Sequence, residues 1–202
     1  MTRALRNPGL TAMLVLLAAA TATAQVPVRV RGAIAKVSGQ TLTIASRDNS
    51  TVEVRLADNA GVTAVVPAAL SDITVGQFVG IAALPGADGT FRAQEVLIFP
   101  EAARGTGEGH YAWDLSAGST MTNATVETMV ERVDGPVLTL KHKDGSVNIE
   151  VPTDVPIVTF APGDRAMLQP GAHVFISGQQ RSDGVVTAGR VLVGKDGLVP
   201  PM

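Results

Sequence analysis

The chain contains no cysteine, which excludes disulfide bonds, thiol chemistry and cysteine-based zinc sites. Aromatic residues make up only 3% of it, as one Trp, one Tyr and five Phe. The core must therefore come from Val, Ile, Leu and Ala, whose β-branched members favour strands. No apolar run approaches the roughly 20 residues that a spanning helix needs. The run at residues 10–20 is short and follows Arg3 and Arg6, with an A-x-A site, Ala22-Thr23-Ala24, just before Gln25. These are the three parts of a secretory leader, so residues 1–24 are expected to be a cleaved signal peptide and the mature protein to be periplasmic, with no membrane insertion after cleavage. The absence of cysteine near the cut excludes a lipid anchor. Basic charge is also lacking: the remaining 178 residues carry 14 basic and 18 acidic side chains, a net charge of −4. That sign argues against nucleic acid, whose binding draws on clustered Lys and Arg.

What the sequence does have is a repeat. From Val52 onward similar residues recur at a spacing of 95, as in Val52/Val147, Leu56/Val151, Gly76/Gly171, Ala93/Ala188 and Val96/Val191. Before Val52 the spacing reads as 96, in Val30/Val126, Val37/Val133, Leu42/Leu138 and Ile44/Leu140. A fixed period of this kind marks a duplicated structural unit.

Within the first copy apolar residues alternate at Val28, Val30 and Ile34, at Leu42 and Ile44, at Val52, Val54 and Leu56, and at Val79 and Ile81. Period-two alternation signals half-buried strands, and the intervening Ser38-Gly39-Gln40, Arg47-Asp48-Asn49-Ser50 and Ala87-Asp88-Gly89-Thr90 are turn sequences. A longer connection from Val62 through Pro67 leads into one helical turn at residues 68–73, and its copy runs from Ile157 to Leu168. Three strands, a crossover and two further strands give the order of a five-stranded OB-type barrel. In the last strand the buried phase shifts from Phe91 and Ala93 to Val96 and Ile98, and the copy shifts likewise, which implies a β-bulge in each. The expected fold is all-β: two tandem five-stranded OB-like barrels, at residues 25–99 and 123–202, joined by a Gly-rich connector at residues 100–122.

The connector holds the only Tyr and the only Trp. Its sequence from Phe99 to Leu115, with Gly118-Ser119-Thr120-Met121-Thr122-Asn123 and the stretch from Ala188 to Gly197, resembles exported bacterial OB-like proteins of the domain of unknown function 5666 type. The resemblance implies an OB-like fold and an envelope location. It brings no substrate, cofactor or catalytic residue.

Two sets of candidate residues lie in the connector. Glu108, His110 and Asp114 offer an imidazole and two carboxylates within seven residues, a donor set for a divalent metal if the loop brings them together. The bland alternative pairs Arg104 with one acid and leaves His110 hydrogen-bonded at the surface. Arg104, Tyr111 and Trp113 form a candidate ligand-binding set, with Trp113 either packed on a barrel or serving as a platform for a ligand. His142 and His173 align with Ser46 and Phe78 in the other copy, so neither belongs to an inherited site. No nucleophile-elbow sequence is present around Ser119. The expected function is that of a non-enzymatic envelope protein that binds a protein partner or small ligand and needs no cofactor. The alternative is a metal-dependent hydrolase built on the connector.

Overall fold

The computed structural model describes residues 26–202. The leader read at residues 1–24 lies outside them. The described residues are all-β, with short 3-10 turns in place of helices. The strands are β1 (Val26–Ser38), β2 (Thr41–Ser46), β3 (Thr51–Pro67), β4 (Phe78–Pro85), β5 (Phe91–Ile98), β6 (Gly109–Ala112), β7 (Thr120–Val130), β8 (Val137–His142), β9 (Gly145–Glu150), β10 (Ile157–Pro162), β11 (His173–Gln180) and β12 (Val186–Gly194). Their locations follow the alternation and the turn residues: Asp88 and Gly89 both take positive φ, at 54° and 74°, where the chain reverses between β4 and β5.

Two five-stranded rings close, but neither ring is made from one copy of the repeat. In the first, β1, β2 and β3 pair in order, β12 runs parallel to β3, and β11 returns antiparallel to β1. The second is its counterpart: β7, β8 and β9 pair in order, β5 runs parallel to β9, and β4 returns antiparallel to β7. Each barrel thus takes three strands from one half of the chain and two from the other. The cores agree, since Ile34, Leu42, Ile44 and Val54 pack with Ile176, Val186 and Val191, while Leu138, Leu140 and Ile149 pack with Val79, Ile81 and Val96. The expected boundaries at 25–99 and 123–202 are therefore corrected: they delimit the repeats, and the barrels exchange strands across them. An OB-type strand order survives the exchange, because either copy's last two strands present the same edges to either copy's first three.

The exchange is organised about a point of near two-fold symmetry. Residues 62–67, expected to be a connection, instead continue β3, and residues 63–67 pair antiparallel with β10, their own copy; Phe160 lies opposite Val65, the residue 95 positions before it. β3 is continuous where its counterpart breaks into β9 and β10. Pro152 and Pro156 fall in that break and remove two backbone donors from any ladder there.

Both bulges are present, as register shifts between Ala82 and Ala83 in the β4–β5 pair and between Phe175 and Gln179 in β11–β12. The repeat register of the first strand needs correction. Ile34 pairs with Ile44, and Val126 pairs with Leu140, so Ile34 corresponds to Val126 and the spacing there is 92. The extra four residues lie in the turn between β7 and β8, where Val133, matched by sequence to Val37, is 99% exposed.

The connector is ordered around its own short strand. β6 adds to β7 opposite the residues that β4 holds on the other side, Tyr111 standing across from Met121. Residues 120–122, assigned by sequence to the connector, already belong to β7.

Because neither half supplies a complete ring, the halves are not independent. We expect a single proteolytic cut in residues 104–108 to leave a particle that elutes as one intact unit and unfolds in one transition on denaturant titration. Two stable fragments separating under native conditions would contradict the exchange.

Candidate functional site

The bulge in β5 turns Glu95, Leu97 and Phe99 away from the barrel core, because the residues on either side of them, Ala93, Val96 and Ile98, fill it. The copied strand does the same with Arg190 and Leu192. These outward faces meet near the two-fold point and form a third apolar cluster of Val65, Leu97, Phe99, Val158, Phe175 and Leu192, joined by Phe160 and Trp113. Beside this cluster lies a cavity of about 240 Å³. Five of the chain's seven aromatic side chains line it: Phe99, Tyr111, Trp113, Phe160 and Phe175. The aromatic rings stack edge to face or tilted, with centroids 5.8 Å apart for Phe99 and Phe160, 6.1 Å for Tyr111 and Trp113, and 6.5 Å for Trp113 and Phe175.

The polar residues in this lining are unusual. Glu95 is 2% exposed and Asn123 8% exposed, and Glu95 Oε2, Asn123 Oδ1 and Trp113 Nε1 are buried with no hydrogen-bond partner among the described residues. An unpartnered buried polar atom costs about 1–3 kcal/mol. All three belong to residues that line one cavity. Asn123 is fixed from its other end, its Nδ2 donating to the Thr106 carbonyl at 3.1 Å and to the Tyr111 hydroxyl at 3.2 Å. Gly80 makes room for it: a Cβ there would stand 2.6 Å from Asn123 Oδ1 and 2.9 Å from the Phe99 ring. Burial pushes the Glu95 carboxyl up to about 8, against the opposing charges of Arg31 and Arg47.

Trp113 is held by a cationic clamp. The Arg29 guanidinium lies 4.0 Å from its ring centroid, and that of Arg31 lies 5.7 Å away. Asp114 accepts a hydrogen bond from Arg31 Nη2 at 2.7 Å and pairs with Arg29 at 3.4 Å. Burial raises the Asp114 carboxyl, but the Arg31 hydrogen bond and the two guanidinium charges outweigh it, and the net shift is downward. Arg31 Nε also donates to the Met202 main-chain oxygen at 2.5 Å, and Arg47 Nη2 to the Pro200 carbonyl at 2.9 Å, and Met202 is part of the cavity lining.

Of the ligand-binding set read from the sequence, Tyr111 and Trp113 are in the lining and Arg104 is not. Arg104 binds Glu101 and the Gly76 carbonyl on the exposed surface. The metal set is not assembled. Asp114 is engaged by Arg29 and Arg31, and Glu108 is exposed; His110 Nδ1 meets Thr122 Oγ1 at 2.8 Å, and its ring stacks on His142 and meets Phe91 edge to face. Among the described residues no group of three His, Cys, Asp or Glu is close enough to hold a metal ion. Burial, followed by the His142 charge, lowers the His110 pKa. Glu95, Asn123 and Arg190 were missed. The available signal was Glu95 standing in phase with Leu97 and Phe99, an outward strand face too apolar to be exposed.

A family model described as Domain of unknown function (DUF5666) matches residues 31–96 and 129–191, one stretch in each copy of the repeat. No curated protein and no solved structure matches the chain.

Glu95 makes stability depend on pH. Its carboxyl titrates near 8 in the folded protein against an ordinary 4.5, so the native state keeps a proton that the unfolded state loses. Its contribution is complete below 4.5, declines as pH rises toward 8 and is constant above. We expect urea titrations to show this falling limb in the wild type and a flatter profile in Glu95→Gln. Superimposable profiles would contradict the burial of an unpaired acid.

Proposed function

The chain belongs to the DUF5666 family, a description that assigns no activity, and from the cavity between the barrels we propose that the protein is a non-enzymatic, exported binder of a small organic ligand. The observation that carries this is the gathering, around one cavity of a chain that is 3% aromatic, of five aromatic side chains and three residues that each carry an unpartnered buried polar atom. Small-molecule sites are typically concave and apolar, with a few convergent polar groups. A cavity of about 150 Å³ accommodates a benzene ring. At about 240 Å³ this one suits a single ring with substituents.

The polar groups favour holding a molecule over converting it. Among the described residues Glu95 is the one acidic side chain in the lining, with no histidine beside it and no second acidic side chain to share acid and base roles. The leader sequence at residues 1–24 supports a periplasmic location, and the net charge of −4 fits a partner other than a polyanion.

The test is a thermal-shift screen of the mature protein against single-ring compounds. A compound that binds only the folded state raises apparent stability by about 2.7 kcal/mol at a hundredfold excess over Kd. Ser177 is exposed at the rim of the cavity, so Ser177→Trp is expected to keep the fold and abolish the shift. No stabilisation by any compound, or an equal shift in the rim variant, would overturn the proposal.

A further inference from the structure

The two copies of the repeat contribute different chemistry to equivalent places around the cavity. Gly80 on one side corresponds to Phe175 on the other, Met121 to Arg29, Asn123 to Arg31, and Glu95 to Arg190. One wall therefore carries neutral amide and thioether groups with a single acid, and the other is rich in guanidinium. The Arg29 and Arg31 charges are partly offset by Asp114. Arg190 is different: its guanidinium lies 5.2 Å from the Phe160 ring centroid and 3.4 Å from Thr63 Oγ1, and none of the ion pairs among the described residues includes it. It lines the cavity while remaining exposed, the placement of a group that receives a charged head at the rim. Trp113 Nε1, deeper in the same lining, is a donor without an acceptor.

We propose that the ligand is a single-ring aromatic carboxylate, its ring among Phe99, Phe160 and Phe175 and its carboxylate received by Arg190 and the Trp113 indole N–H. This rests on the cavity being the binding site. Charge complementarity sets the sign: Arg29, Arg31, Arg47 and Arg190 stand around or near the cavity against Glu95 and Asp114. A guanidinium holds a carboxylate through two parallel hydrogen bonds, which an aromatic amine cannot accept. Glu95 supports the assignment, because its buried carboxyl is mostly neutral at pH 7 and presents a donor where a charged acid would repel an anion. Asn123 Oδ1 remains to accept from a hydroxyl on the ring.

The experiment is calorimetric titration of the mature protein with benzoate, 4-hydroxybenzoate, benzamide and benzamidine, with quenching of Trp113, the only Trp, as a second readout. The carboxylates are expected to bind at least tenfold tighter than benzamidine, and 4-hydroxybenzoate tighter than benzoate. Arg190→Ala should weaken the carboxylates tenfold or more while changing benzamide less than twofold, and Arg190→Lys should restore part of the loss. Above pH 8 benzoate affinity should fall as Glu95 ionises, facing Arg31 and Arg47 with Tyr111 and Arg190 in the same lining, and Glu95→Gln should remove that fall. Benzamidine binding more tightly, or all four compounds binding alike, would overturn the carboxylate assignment and leave a small-molecule site standing. Failure of all four, together with a null thermal-shift screen, would overturn the site itself.

Discussion

The antiparallel pairing of residues 63–67 with β10 is the interaction on which the rest of the structure depends. It places each copy's crossover segment against its own duplicate, with Val65 opposite Phe160, and so fixes the two halves about a common point. From that pairing β3 continues into a parallel ladder with β12, and β10 into the matching ladder with β5. A three-stranded set leaves two open edges, and unpaired edges are costly in a soluble protein. Each half closes the other's edges.

Duplication produced the symmetry, and departures from it produced the site. A perfect two-fold would place identical residues on both walls between the barrels. Gly80 occupies the place that Phe175 takes in the other copy, so one side leaves space that the other fills, and the bulges in β5 and β12 send Glu95 and Arg190 outward from corresponding positions with opposite charge. The connector then closes one side. Its Trp113 is seated by Arg29 on β1, and its β6 extends the β7 edge, so a segment outside both repeats is tied to both barrels.

Much of the fold was legible in the sequence because its signals are local. Alternation located the strands, Asp-Gly and Ser-Gly located the turns, and the parity changes after Ala93 and Ala188 located both bulges. The exchange of strands was not legible, because the two copies have equivalent edges and an alternation pattern is satisfied by either pairing. The slip in the first strand escaped for a related reason: a shift of four residues preserves the face of every side chain, so Val126 and Val133 looked acceptable opposite Val30 and Val37. In the site, Tyr111 and Trp113 were found by their rarity. Arg104 stands outside the site because its guanidinium is satisfied locally by Glu101. Glu95 was overlooked because an acid in a strand ordinarily faces water, whereas here the other barrel covers it.

Interstrand nuclear Overhauser effects in the labelled protein test the strand exchange most directly. Contacts linking Val30 with Ile176 and Val54 with Val186 are the result expected from the pairing described. Contacts linking Val30 with Ile81 and Val54 with Phe91 would show each half folding on itself and would remove the surface between the barrels on which the ligand site depends.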